Sequence, residues 1–524
     1  MDSVRNTVFE FYIGERRYAP FSVEGEEAIS ELYRFDIDFA VPAEEDAVLS
    51  TDLDALLLSS AHLIIRVDDT VRMFHGIVFA LEQGDQVYAP NLDTAEVFFR
   101  YRAVLMPRLA LTTLNRRNRV FGGGAKTDLK QILESELTAR TLPEDDSVTG
   151  LSLLPTDFEL RSWLRQPGAD DFPQRDAVVQ YQETDYAFIS RLCERDGFFF
   201  FFENGEGAEK LIISDQNAAF GELPAPLLYQ PPSGMAVTDA NNVFALTRRR
   251  QAVGKKVSLR DYNEESPHVV LATDKEIEAG QWGLISEYGD EFSTPSEGRA
   301  VARIRAEAQA TGADLYQGRS TAPLLRAGCI ARIAGHFRRS SEQGYVITRV
   351  RHSGRCAAQG APLDTDGRPI TTDYVNTFEA IPHSQPYRPL RKTPRPKIGG
   401  LVTAIIDSDS DGKRADIDDQ GRYKVVFPFD YRFDPDGTER AEASRYIRLA
   451  TPYAGSKQGM HFPLRKGTEV ILAFYDGDPD RPVIVGALAN AKDTNVVTKE
   501  NQTSNRIVTA SGVILEITDG TGGE

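Results

Sequence analysis

The sequence predicts a mainly β chain of α+β class with a few helices, followed by a small barrel of the OB type and a last β segment without evident partners. Three observations carry this. Apolar and polar residues alternate at period two through most of the first 380 residues, the mark of half-buried strands. Only three stretches combine helical spacing with cap chemistry. Beyond a proline-rich connector, five short strand-like runs follow one another between residues 401 and 488, which suits a small closed barrel.

Taken in order, VFEFYI (8–13) and YRFDIDF (33–39) set the alternating pattern. The first helix is announced by Asp128 and Gln131, a capping box ahead of Leu129, Ile132, Leu133 and Leu137. The second is expected from Thr184 as N-cap to Gly197 as stop, burying Ile189, Leu192 and Cys193. The third opens at Thr294, with Pro295 at the first helical position and Glu297 closing the box. It runs through Val301, Ile304 and Ala308 to Gly312.

The segment IPHSQPYRPLRKTPRPKIGG (381–400) holds five prolines and five Lys or Arg, with little that could enter a core. It reads as a semi-rigid extended connector. The barrel strands are LVTAII (401–406), RYKVVFPF (422–429), RYIRLAT (445–451), TEVILAFY (468–475) and PVIVGAL (482–488). Val425, Phe427, Phe429, Val470, Leu472 and Phe474 are expected inside. Pro428 is expected at an edge or bulge, since it cannot donate to a ladder. Past Asn490, Val513, Leu515 and Ile517 alternate with polar residues in a hairpin-sized segment too small to be stable alone. It needs neighbours, and other copies of the chain can supply them. The expected division is 1–380, a linker at 381–397, the barrel at 398–490, and the terminal segment at 491–524.

Bulk properties narrow the function. The 524 residues imply a multidomain chain, and no apolar run reaches the roughly 20 residues of a membrane helix. The N-terminus lacks an apolar leader, which implies synthesis and first assembly in the cytoplasm. A formal charge of −18 opposes nucleic acid and anionic lipid. Cys193, Cys329 and Cys356 have neither disulfide-framework nor zinc spacing and read as spectator thiols.

Three stretches invite a chemical reading. GGGAKTD (122–128) has the glycines, lysine and threonine of a phosphate loop, but Ala125 stands where a nucleotide loop needs glycine, so it reads as a flexible turn entering the first helix. In DSDSDGKRADID (407–418), Asp407, Asp409, Asp411, Gly412 and Asp418 fall on calcium-loop spacing. Arg414 and the strand-like flanks depart from that pattern, and a solvated acidic loop is the expectation. Asp476, Asp478, Asp480 and Arg481, with Gly477 and Pro479, read as a corner between the last two barrel strands. The seven histidines form no HExxH and the chain has no GxSxG. No catalytic, cofactor-binding or metal residue is assigned, and no cofactor is expected.

The ordered pieces VQYQETDYAFISRLCERDGFFFFFE (179–203), YVNTFEAIPHSQPYRPLRKTPRP (374–396) and SRYIRLATPYAGSKQGMHFPLRKGTEVILAFYDGDPDRPVIVGALANA (444–491) resemble the VgrG family of type VI secretion and related contractile injection systems. NRVFGGGAKTDLKQILESEL (118–137) and LLRAGCIARIAGHF (324–337) support it. The resemblance implies a non-enzymatic homotrimeric spike: tandem β-barrel hub domains with an inserted α+β portion, an OB barrel, and the start of a trimeric β-prism or β-helix needle. It implies baseplate components, a hexameric Hcp-like tail tube and a PAAR-type tip as partners, effectors as possible cargo, and secretion after cytoplasmic assembly. Many relatives continue into a long β-helix, so an end at Glu524 implies a truncated chain or a short-spike branch. Two other readings stand beside it. One is a phage-needle-like cell-wall hydrolase working through paired carboxylates. The other is an OB-fold binder of polysaccharide or nucleic acid, for which Tyr423 and Arg445 are the candidates.

Overall fold

The N-terminal alternation becomes strand Thr7–Ile13, with Thr7, Phe9, Phe11 and Ile13 buried and the residues between them half-exposed. Strand Arg34–Pro42 repeats the pattern with Phe35, Ile37, Phe39 and Val41. In this computed structural model, residues 7–43, 53–88, 97–138, 157–161, 174–205, 207–231, 241–337, 344–356, 372–408, 412–430, 432–433, 443–518 and 520 are described. They divide into two compact units. The first is Met1–Asn115, Leu133–Asp170 and Asp185–Pro394; the second is Arg116–Ile132, Asp171–Thr184 and Arg395–Glu524. Two segments from inside the first 380 residues therefore belong with the second unit.

The first unit is organised by a sheet of fifteen strands among the described residues. Arg16–Tyr18, Thr7–Ile13, Ser60–Val67, Thr70–Tyr88, Val97–Met106, Arg34–Pro42 and Pro20–Ala28 lie side by side. Tyr345–Arg355, Asp373–Pro382, Asp314–Ser320 and Asn242–Arg250 continue the order. Each half has its own aromatic core. In the first, Phe39 packs on Phe11 and Tyr101 at ring separations of 5.9 and 5.6 Å. In the second, Val243, Tyr316, Ile347 and Phe378 pack together. The halves join where Pro20–Ala28 pairs antiparallel with Tyr345–Arg355, from Ala28 opposite Arg349 to Ser22 opposite Arg355.

Under that seam lies a buried polar network. Glu27 accepts from Arg72 at 3.2 Å and contacts His352 Nε2 at 3.3 Å, and His352 Nδ1 lies 2.7 Å from the Tyr374 hydroxyl. All four residues are buried. A carboxylate is tolerated there because a guanidinium and an imidazole meet it.

Among the described residues there are three α-helices, where cap chemistry places them. Helix α1 is Leu129–Thr138. Its box is formed: Gln131 N–H donates to Asp128 Oδ1 at 2.9 Å and Asp128 N–H donates to Gln131 Oε1 at 3.3 Å. Helix α2, Asp185–Asp196, stops at Gly197, whose φ is +76°. A Cβ at Gly197 would also stand 2.8 Å from Ile304. Helix α3, Pro295–Thr311, has Thr294 as N-cap, accepting from Glu297 N–H at 3.2 Å. The Glu297 carboxylate reaches one residue further back than a box requires, to Ser293 N–H at 2.8 Å. The buried face of α3 is mostly alanine, with Ala302, Ala306 and Ala310 packed on Val257 and Leu259 of a small sheet. Strand Phe199–Asn204 begins with four buried phenylalanines. Phe199 stacks on Phe220 at 4.9 Å, and Phe202 meets Tyr33 edge-on at 5.0 Å.

Two expectations are corrected. Gly122–Thr127 is no flexible turn: it is the end of strand Arg116–Thr127, paired antiparallel with Arg175–Thr184. Gly122 and Gly123 have φ of +82° and +100°, and a Cβ on Gly123 would fall 1.9 Å from the carbonyl oxygen of Ala443. The glycines permit a close backbone approach rather than a phosphate. The connector is extended, but it is not excluded from packing. Arg388 is buried, donating to Glu307 at 2.8 Å, to the Gly197 carbonyl at 3.1 Å and to the Asp215 carbonyl. Tyr387 meets Phe199 edge-on at 5.3 Å, and Glu194 accepts from the backbone N–H groups of Lys392 and Thr393 at 2.9 Å each.

Arg388→Ala leaves two carbonyls and a carboxylate without their donor, and is expected to lower stability by about 3–5 kcal/mol in a urea titration. A second expectation concerns pH. Arg161 and Lys210 hydrogen-bond the Glu159 carboxylate and lower its pKa to about 2. A depressed acid stabilises above its unfolded value and loses that contribution as pH falls through the folded one. The stability gap between wild type and Glu159→Gln is therefore expected at neutral pH, shrinking from about pH 4.5 and closing near pH 2. A constant gap contradicts the assignment.

Candidate interaction surface

In the second unit, the barrel sheet runs Lys424–Val426, Val402–Asp407, Glu469–Phe474, Pro482–Ala487, all antiparallel. Its core contains Ala404, Ile406, Val425, Phe427, Val470, Leu472 and Ile484, with Phe429 and Phe474 packed partly buried against them. Pro428 is exposed just past its strand. The run 445–451 is the exception: no regular strand forms, only bridges from Ile447 to Tyr423 and from Leu449 to Ile484. Ile447 still enters the core. Val120 and Val179, from the paired strands Arg116–Thr127 and Arg175–Thr184, join the same core.

Two buried aspartates fasten those borrowed strands. Asp430 accepts from Val120 N–H at 3.0 Å, and Arg432 both pairs with Asp430 at 2.7 Å and donates to the Val120 carbonyl at 2.6 Å. Asp480 accepts from Val179 N–H at 2.6 Å. The corner Asp476–Arg481 thus does more than turn. Tyr475 N–H donates to the Arg481 carbonyl at 3.0 Å, Asp476 and Gly477 both adopt positive φ, and Asp480 N–H donates to Asp478 at 3.1 Å. Asp478 is buried and accepts from Arg395 of the connector, while Asp476 stays exposed, 3.7 Å from Lys397. The turn was legible from Gly477 and Pro479; the remote partners of Asp478 and Asp480 were not, and no local signal announces them.

The other candidates are spent similarly. Asp418 accepts from Gln420 and Arg422 N–H groups at 3.0 and 2.9 Å and from the Arg422 guanidinium at 2.5 Å. Burial pushes its carboxyl up, and Arg422 outweighs that and holds it below the usual range. Asp407 pairs with Lys466 at 3.9 Å. Asp409 and Asp411 lie outside the described residues. Tyr423, a candidate for ligand stacking, is in the core, and Arg445 donates to the Asp480 carbonyl at 3.1 Å. Neither is presented on an open barrel face.

What this unit does present is apolar surface. Residues Ser504–Val508 and Ile514–Thr518 form an antiparallel hairpin whose strands pair only with each other among the described residues. Its turn is closed by Gly512 N–H donating to the Thr509 carbonyl at 2.9 Å. Val513, Ile514, Leu515 and Ile517 are 52–64% exposed. Tyr453, Met460 and Phe462 on the barrel are also exposed, beside a cavity of about 430 Å³. Exposed apolar side chains in such density mark an interaction surface.

Residues 26–358 match the model of the phage tail baseplate hub (GPD), and residues 418–488 that of the type VI secretion system/phage-baseplate injector OB domain. The chain is 28% identical over 477 residues to the type VI secretion system spike protein VgrG5 of Pseudomonas aeruginosa, with 90% of this chain covered. It is 29% identical over 436 residues to the actin cross-linking toxin VgrG1 of Vibrio cholerae, with 82% covered. It spans 55% and 36% of those relatives' lengths. Its fold resembles the E. coli c3393 protein, described as a component of the type VI secretion system (TM-score 0.58, 23% identity, 91% of this chain and 99% of that one). It also resembles a chain of the Francisella PdpA–VgrG complex (TM-score 0.59, 10% identity, 98% and 83%).

Asp480→Ala removes the acceptor of the buried Val179 N–H, and a loss of about 1–3 kcal/mol is expected by chemical denaturation. A change within about 0.5 kcal/mol would show the borrowed strand to be held by packing alone.

Proposed function

Because the chain belongs to the phage tail baseplate hub family, we propose that three copies of it form the hub and spike at the tip of a contractile injection tail of the type VI secretion kind. The observation that carries this is the hairpin Ser504–Thr518, folded yet paired only with itself among the described residues, with Val513, Ile514, Leu515 and Ile517 turned to solvent. Burying such side chains contributes about 1.5–3 kcal/mol each. Threefold wrapping offers every copy the same neighbour on both sides and closes on itself, so no edge is left to recruit further chains.

On this reading the mechanism is mechanical. The barrel halves of the first unit, two per chain and six per trimer, face a hexameric Hcp-like tube, baseplate components hold the ring, and the prism that starts at the hairpin supports a PAAR-type tip. Contraction drives the assembly outward, so the chain is assembled in the cytoplasm, then secreted and delivered through a target membrane with effectors attached or following. The family match and the likeness to spike proteins support this. The chain works without a catalytic centre: the buried acids Asp430, Asp478 and Asp480 are each engaged by a backbone amide or a guanidinium, which leaves them in a structural role. Nucleic acid has no part in it, in keeping with the charge of −18.

Size-exclusion chromatography with light scattering is expected to give three times the chain mass, and the double variant Val513→Asp, Leu515→Asp is expected to run as a monomer with its first unit still folded. A wild-type chain that is monomeric at micromolar concentration and yields no trimer on cross-linking would sink the proposal.

A further inference from the structure

The cavity of about 430 Å³ on the barrel falls within the size range of ligand sites. Its wall carries three groups able to bear positive charge, Arg448, Lys457 and His461, and no carboxylate among the described residues. The remaining wall residues are uncharged. This composition runs against the chain as a whole, in which 78 Asp and Glu outnumber 60 Lys and Arg. The acids nearest in sequence do not change it. Asp418 is held by Arg422, and Asp419 is exposed outside the wall.

Each of the three groups is held in position by the fold. Arg448 lies over the Tyr475 ring at 5.5 Å and donates to its hydroxyl at 2.9 Å. His461 Nε2 lies 3.1 Å from the hydroxyl of buried Tyr423, which also accepts from Leu464 N–H at 3.2 Å. Lys457 stands in the two-residue turn that joins Ala454–Gly455 to Gln458–Gly459. Its φ is +60°, a conformation in which a side chain is strained and glycine or asparagine is the usual choice. Strain of this kind collects where a chain grips a ligand. The Lys457 ammonium makes no ion pair or hydrogen bond with any described residue.

The wall also has an apolar side. Tyr453 and Met460 line it and are 51% and 45% exposed, and Phe462, next to His461, is 51% exposed. Exposed aromatic and methionine side chains beside Arg are the composition of a protein-docking patch. We propose that this groove docks an acidic peptide segment of a partner protein. The segment's carboxylates meet Lys457, His461 and Arg448, and an apolar side chain covers Tyr453 and Met460. Charge complementarity calls for the acid. The apolar side calls for a peptide in preference to a bare polyanion, which has nothing to bury there. Each chain carries the whole groove, so the inference stands apart from the three-copy reading.

Fluorescence anisotropy on the full chain tests this with a short labelled peptide alternating Glu and Phe, against one control with Lys for Glu and another with Ser for Phe. Saturable binding of the first is expected, with both controls at least about tenfold weaker. Lys457→Glu is expected to weaken the acidic peptide about ten- to hundredfold. Lys457→Gly removes the charge together with the strained φ, so it is expected to bind about three- to tenfold more weakly and to melt no lower than wild type. Equal binding of the Ser control would reduce the contact to charge alone, and unchanged binding by both Lys457 variants would place it elsewhere. A clearly lower Tm for Lys457→Gly would make the lysine a structural residue. Any of these overturns the proposal, as does a change of particle mass in Lys457→Glu by light scattering, which would make the groove a contact between copies. A wild-type chain of monomer mass that still binds the acidic peptide would fail the three-copy reading and leave this one standing.

Discussion

The first unit depends on one strand pairing, that of Pro20–Ala28 with Tyr345–Arg355. Without it the fifteen-stranded sheet separates into two halves, since no other described strand of the first half pairs with one of the second. The pairing joins residues more than 300 positions apart in sequence, as in the 2.7 Å bond from Ser353 to Glu24, 329 positions away. Its register is held on both faces. On one side Glu26 pairs with Arg349 and Arg351, and Glu31 with Arg349 and Lys392. On the other, Glu27 is buried against Arg72 and His352. A shift by one residue would carry Glu27 to solvent: one direction puts Ala28 in its place and leaves Arg72 uncompensated, and the other puts Glu26 there and takes it from Arg349 and Arg351. The buried network is thus a register key, at the cost of desolvating two charges.

That dependence explains what was legible beforehand. Period-two alternation, the Asp128–Gln131 box, the Thr294–Pro295 start and the barrel interior around Val425 and Val470 are set by residues a few positions apart, and sequence displays such spacing directly. Arg388, Asp430, Asp478 and Asp480 gave no such sign. Each satisfies a backbone or charged group far along the chain, and one Asp looks like another until the fold brings its partner near. Gly122–Gly123 misled for a related reason: glycines that read as a flexible turn serve a strand end passing close to a carbonyl by the same absence of Cβ.

The second unit applies the same economy. Its barrel has four regular strands in place of five, and completes its core with Val120 and Val179 from a hairpin that precedes the barrel in sequence by more than two hundred positions. Buried aspartates that grip N–H groups make this borrowing directional, since they fix where along each strand the attachment occurs. Apolar contact alone would tolerate sliding.

The hairpin Ser504–Thr518 also has a consequence for the life of the chain before assembly. A two-stranded ribbon with open edges and aliphatic side chains facing water is a template on which any similar ribbon can grow, in and out of register. Until those edges and side chains are covered, such a ribbon is open to stacking into insoluble fibre.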